Sequence, residues 1–441
     1  MILKELRDII IPYELISKNL GYRNISFKDK MNIIINNKKL IHMFDDDIDQ
    51  CILHALNMYD NLNSFVLFGK NKTNAYKYFM NDFNNQYSLY GIKHINLKSS
   101  SICKIMYQLL FPQMIIKNKK EFEDYLKEIF PFLYNYDGDT IDITILVVCK
   151  RDNNKKFPIN SIIESDFIMF IPNTKEEIKH CASLFFCSGS LKFIEIQNFE
   201  FFLTKDNENS KKMFLKFRKW LNVNVDLINQ QQFMLFSSVI LYLIGHRSMN
   251  DLDLYVHNVS TEIEEKLNEF NNNQIYDYID FKVKGTNNWP IYWNKWLDEW
   301  SNKCGAKYFE EILANPKYHL YFLGIKIISL DCDVIRRLER NRPRAYADLI
   351  ALRKRYQYKI FIPPIPEITY KYESVIDKSD EIKISIQTDI PKFINTIIYA
   401  LQTRYRMKFT SDEIRKELHM RIEQNKLDVS KKRIKINITK K

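Results

Sequence analysis

The chain has 441 residues, 46% of them hydrophobic and 14% aromatic, which is enough apolar material for sizeable cores and excludes a disordered or fibrous chain. Its 66 Lys and Arg outnumber its 54 Asp and Glu, giving a formal charge of +12 that suits an anionic partner, although Lys-rich, Asn-rich coding from an AT-rich genome produces the same excess. Seven cysteines form no Cys-x-x-Cys pair and no apolar run of about 18 residues occurs, so a disulfide framework, a zinc ribbon and a membrane span are all excluded and an intracellular, reducing location is expected.

In chain order the patterning predicts an α/β (α+β) protein in three regions. Residues 1–205 read as an α/β region of unknown role, with strands at 64–69, 141–148, 166–171 and 193–203 and a helix at 174–186. Phe68-Gly69-Lys70 lacks the glycine spacing of a phosphate loop and reads as a plain turn. Residues 206–360 carry the chemistry. A buried strand at 232–236 meets Ser237-Ser238, where a short helix begins, and a second strand opens at Asp251. A crossover helix at 261–270, with Thr261-x-x-Glu264 as a capping box, leads to a strand over 278–285 that contains Asp280. A further strand at 324–330 runs into an arginine-rich helix from Asp331 to Arg340. Residues 361–441 comprise the stiff run Ile362-Pro363-Pro364-Ile365-Pro366, amphipathic helices at 391–405 and 411–424, the second with a Thr410-x-x-Glu413 capping box, and a basic tail over 431–441. No internal repeat appears, which excludes a solenoid.

The run from Ser237 to Val256 is the most informative. Residues two apart on a strand share a face, so Asp251 and Asp253 aim at one point while Leu252, Leu254 and Val256 continue the apolar pattern. An Asp-x-Asp alone is usually a pair of solvated carboxylates. Here a small-residue turn and helix start precede it, offering backbone N–H groups to an anion. Carboxylates beside an anion-binding turn are what a nucleoside triphosphate–Mg²⁺ complex needs. His246 lacks a second histidine at ligand spacing and reads as a turn residue bonded to backbone.

Gly245-His246-Arg247, Ser248 and Asp251-x-Asp253 resemble the signature of the DNA polymerase β-type nucleotidyltransferase superfamily, closest to the abortive-infection (AbiEii-type) toxin nucleotidyltransferases. The resemblance extends over residues 226–355. The family's glycine pair is replaced by Phe236-Ser237 or Ser237-Ser238, and Ala345 stands where the first aspartate of its Arg-Asp-x-x-Asp-Leu motif falls, while Arg344 and Asp348 match.

The resemblance implies an Mg²⁺-dependent nucleotidyltransferase that moves a nucleoside monophosphate from an NTP to a hydroxyl, with RNA as a candidate acceptor. Asp251, Asp253 and Asp280 would be the catalytic, metal-holding carboxylates, with Asp331 and Asp333 in reserve for the third place and otherwise serving as N-terminal charges of their helix. Ser237, Ser238, Arg247, Arg336, Arg337 and Asp348 would bind the nucleotide, the arginines because a guanidinium fork matches phosphate. For each arginine the bland alternative is a solvated surface charge. Arg336 to Arg355 would form a basic track for nucleic acid. Two other readings stay open: a catalytically silent relative acting as a nucleic-acid-binding or assembly module, and transfer of another phosphorylated group to a sugar or lipid.

Overall fold

A computed structural model describes residues 52, 53, 56, 62–69, 87–111, 119–150, 162–163, 167–203, 208–226, 229–249, 251–256, 260–272, 280–284, 299–306, 309–340, 342–356, 369–373, 383–387, 390–418 and 438–439. The chain divides into two compact units, Met1–Leu330 and Asp331–Lys441. Both combine helices with sheet, a mixed α+β architecture as the sequence pattern predicts. Residues 205 and 360, where the sequence placed boundaries, fall inside these units. Among the described residues no helix is long and apolar enough to cross a membrane.

The first unit holds two five-stranded sheets. One is built from β1 (Leu62–Gly69), β2 (Tyr87–Lys98), β3 (Thr140–Lys150), β4 (Ile162–Ile163) and β5 (Phe167–Phe170), in the order β2-β3-β1-β5-β4 and antiparallel throughout. Phe65 to Phe68 on β1 and Ile143 to Val148 on β3 are almost entirely buried, the continuous apolar run expected of central strands. The helices of this part are α1 (Ile102–Leu110), α2 (Lys119–Ile129), α3 (Pro131–Tyr134), α4 (Lys175–Phe185), α5 (Ser188–Ile196), α6 (Phe199–Leu203) and α7 (Glu208–Asn224). The strand expected over 193–203 is helical. Phe193 and Ile194 are buried while Glu195 and Ile196 are exposed, and Asn198 caps α6 by accepting from the Phe201 N–H at 3.0 Å.

The second sheet contains β6 (Phe233–Phe236), β7 (Asp251–Val256), β8 (Asp280–Lys284), β9 (His319–Phe322) and β10 (Ile325–Ile328), in the order β8-β7-β6-β10-β9. β7 runs antiparallel to β6 and parallel to β8, and β10 runs parallel to β6. Between them lie α8 (Ser238–Leu243), α9 (Thr261–Asn272) and α10 (Phe309–Ala314). α9 is the expected crossover helix. Its cap is Ser260, whose Oγ accepts from the Ile263 N–H at 3.4 Å; Thr261 already lies inside the helix. Leu323 and Gly324 join β9 to β10 with φ of 49° and 73°, the double left-handed turn that matches strand twist.

The second unit has α11 (Leu330–Arg340), α12 (Pro343–Tyr356), α13 (Ile390–Tyr405) and α14 (Ser411–Glu417), with a three-stranded antiparallel sheet of β11 (Thr369–Glu373), β12 (Lys383–Gln387) and β13 (Ile438–Thr439). The Thr410 capping box forms as predicted, with both reciprocal bonds to Glu413 present. The Pro-rich run at 362–366, residues 419–424 of the helix expected over 411–424, and the basic tail apart from Ile438–Thr439 lie outside the described residues.

Candidate functional site

β6 is wholly buried between β7 and β10, and the chain leaves it through Ser237 at φ 72° and ψ −116°. L-residues other than glycine rarely take this conformation, and holding one there costs on the order of 1 kcal/mol. Ser238 begins α8, and its Oγ donates to the Asp251 carbonyl at 3.1 Å, tying the helix start to the first residue of β7. The other end of α8 closes at the Gly-His-Arg run. The Gly245 N–H donates to the Tyr242 carbonyl at 2.9 Å and the His246 N–H to the Leu241 carbonyl at 2.8 Å, the paired bonds of a Schellman cap. Gly245 is required twice over: its φ is 76°, and a Cβ there would lie 2.5 Å from the Asn198 Cβ. His246 is buried, with its backbone in the cap. Next, Ser210 Oγ on α7 receives the Met249 N–H at 2.9 Å and donates to the Met249 carbonyl at 3.2 Å, so α7 fixes the approach to β7.

Asp251 is half-buried and Asp253 is 6% exposed. The register sets Asp253 opposite Phe236, the last residue before the Ser237 turn, and Asp251 opposite Asp280 on β8. Turn and carboxylate positions thus meet at one end of the sheet, and the three aspartate positions occupy adjacent strands. The Asp280 side chain lies outside the described residues; among those described, no three His, Cys, Asp or Glu gather to hold a metal. Asp251 and Asp253 supply oxygen only, a donor set that fits a hard cation such as Mg²⁺. Arg247 is half-buried and donates from Nη1 to the Ser248 carbonyl at 3.0 Å.

Arg336, Arg337 and Asp348 belong to the second unit, where they are buried in a network. Asp333 Oδ1 accepts from Arg336 Nε at 2.9 Å and Nη2 at 2.7 Å, and Asp333 Oδ2 accepts from Arg337 Nε at 2.7 Å. Arg337 Nη1 also donates to Asp348 Oδ2, and the Tyr405 hydroxyl donates to Asp348 Oδ1. Burial pushes the Asp333 carboxyl up, but Arg337 and Arg336 outweigh it and hold the group below the usual carboxylate range. Neither arginine is the solvated surface charge of the bland alternative. Asp333 is fully buried and anchors this network, whereas Asp331 is exposed in the first turn of α11, where acidic charge favours the helix dipole. The expected basic track is therefore divided. Arg342, Arg344, Lys354 and Arg355 are exposed, Arg353 and Lys354 pair with Glu417, and the Arg340 side chain lies outside the described residues.

Sequence reasoning missed two buried amines that grip the turn before β6. Lys179 on α4 donates from Nζ to Gln230 Oε1 and to Asn222 Oδ1, the latter at 3.4 Å. Lys326 on β10 donates to the carbonyls of Gln231 and Leu313, each at 2.7 Å, and the Tyr321 hydroxyl donates to Gln231 Oε1 at 2.5 Å. Desolvation lowers both amines to a pKa of about 7. A lysine inside the apolar run Ile325-Lys326-Ile327-Ile328 was a visible signal for one; nothing local marked Lys179. Compared with protein-family models, with curated proteins and with solved structures, the chain matches none.

Proposed function

We propose that the β6–β7–β8 end of the first unit is the site of an Mg²⁺-dependent nucleotidyltransferase, moving a nucleoside monophosphate from an NTP to a hydroxyl. The observation that carries this reading is the register: Asp251 and Asp253 on one strand, Asp280 opposite Asp251 on the next, and the left-handed Ser237 turn opposite Asp253. Mg²⁺, held by Asp251 and Asp253, would supply positive charge at the phosphate oxygens. The residues of the chain do the rest. The turn at Ser237–Ser238 offers backbone N–H groups to the phosphates, and Arg247 adds a guanidinium close by in sequence. Asp280 either shares the metal or takes the proton of the acceptor hydroxyl as its oxygen bonds to the α-phosphorus and pyrophosphate leaves. Arg336, Arg337 and Asp348 receive no phosphate role here, because their charges already satisfy one another.

That same internal pairing favours a second reading, a catalytically silent relative that keeps the fold and not the chemistry. Asp251→Asn and Asp253→Asn decide between them. Both preserve shape, so folding should survive while Mg²⁺–NTP binding by calorimetry and label transfer from NTP are lost. If the parent binds no NTP at millimolar nucleotide, the transferase reading is wrong and the silent relative stands.

A further inference from the structure

The charge of this chain is segregated. Met1–Leu330 carries 40 Lys and Arg against 39 Asp and Glu, whereas Asp331–Lys441 carries 26 against 15, so +11 of the net +12 resides in the second unit. Coding bias would act on both units alike, and the first is nearly neutral. Inside the second unit, part of the acidic charge is already committed. Asp333 and Asp348 are buried against Arg336 and Arg337, and Glu413 closes its own helix cap.

Six of these positive charges belong to the tail over 431–441, whose charged residues lie outside the described ones; among the described residues, basic side chains cluster where α12 and α14 end. Arg353, Lys354 and Arg355 form the last turn of α12, and Arg415 and Lys416 that of α14. Glu417 fastens the two ends together: its carboxylate accepts from Arg353 and, at 2.7 Å, from Lys354, while its carbonyl accepts from Arg353 at 3.1 Å. Cations at helix C-termini are expected from the dipole, which is worth roughly half a negative charge per helix. Five cations against two such ends and the carboxylates of Glu413 and Glu417 leave an excess of about +2. Arg355 and Lys416 are exposed and Arg415 is half-buried, so this excess faces solvent.

We propose that the joint of α12 and α14 binds the phosphodiester backbone of a nucleic acid strand. Binding itself stands on the charge distribution. Only the further step, that the strand presents the acceptor hydroxyl, rests on the transferase reading. Guanidinium and ammonium groups with no base-reading geometry around them predict an affinity that depends on salt and hardly on sequence.

The test is anisotropy of a labelled single-stranded RNA of mixed sequence, titrated with the full chain at several salt concentrations. Arg355→Gln, Arg415→Gln and Lys416→Gln together should weaken binding at least about tenfold and flatten the log–log salt slope by about 2, since each contact to a single strand contributes roughly 0.7. Arg355→Lys with Arg415→Lys should keep the parent slope. If the triple variant unfolds by circular dichroism, Arg355→Gln and Lys416→Gln singly, each at an exposed position, should each flatten the slope by about 0.7. The proposal is overturned by an unchanged slope in these variants. It is equally overturned if Lys192→Gln, Lys219→Gln and Lys317→Gln in the first unit weaken binding as much, or if phosphatidylserine vesicles at matched phosphate displace the RNA and lose binding in the same triple variant. Asp253→Asn separates the two claims: it should abolish nucleotide transfer and leave RNA affinity unchanged.

Discussion

In the first unit Lys179 and Lys326 are buried with each amine donating to neutral oxygens, the Arg218–Glu176 pair lying near Lys179, whereas in the second unit Arg336, Arg337, Asp333 and Asp348 are buried together as ions. A lone amine can surrender its proton and remain as a neutral donor, so desolvation lowers its pKa. A guanidinium cannot, and is tolerated only beside a carboxylate. The two arrangements respond differently to mutation and to pH. Residue type therefore decides how each unit buries charge, and a basic residue inside a motif can be spent on holding helices.

The largest difference should come from removing one ion. Asp333→Ala leaves two buried guanidinium groups sharing what remains of Asp348, and should cost about 3–5 kcal/mol in urea unfolding. A loss under about 1 kcal/mol would mean that the network is not the anchor of α11.

The comparison sharpens with pH. The folded pKa of Lys179 and Lys326 is about 7, against about 10.4 in an unfolded chain. Between those values the unfolded state binds more protons, so stability should rise as pH goes from about 7 toward 10, with no contribution from these amines to the slope below 7. Lys179→Met with Lys326→Met should abolish that rise. Asp333 acts in another window: its depressed pKa gives stability above the unfolded carboxylate value that disappears as pH falls through the folded one. A parent protein whose urea midpoint is flat from pH 7 to 10 would break the contrast between the two units.

The smallest effect tests strain held in the backbone. Ser237→Gly removes the Cβ from a left-handed position and should stabilise the fold by about 1 kcal/mol, less the entropy that glycine adds to the unfolded chain. A loss on this change would assign Ser237 a side-chain contact worth more than its strain.

The strand–turn–helix–strand order around Asp251 and Asp253 was legible because Phe233 to Phe236 form a continuous apolar run and Leu252, Leu254 and Val256 keep a period of two on β7. β8, β10, α11, α13 and the Thr410 box were legible for the same local reasons. Residues 193–203 misled because Phe193-Ile194-Glu195-Ile196 fits a strand as well as a helix, and only packing decides; Phe193 sits 6.1 Å from Phe322, ring to ring. The burial of Arg336 and Arg337 was not legible. One partner, Asp348, is 11 residues from Arg337 along the chain, and Tyr405, which completes the cage, is 57 residues from Asp348. No local pattern reports such pairings. Asp280 stood out in the sequence as an aspartate in an otherwise apolar strand pattern, and β8 carries it opposite Asp251.

Gly189, near the start of α5, has a further consequence. A Cβ there would fall 1.9 Å from the backbone oxygen of His319, so α5 and β9 touch backbone to backbone across 130 positions of sequence. Contacts of such long range are slow to form and raise the contact order of the whole unit. During synthesis the helices near residue 190 must wait, with apolar faces uncovered, until residue 319 has left the ribosome. At about 5–20 residues per second that wait is roughly 6–26 s, a window in which a chaperone would find this chain.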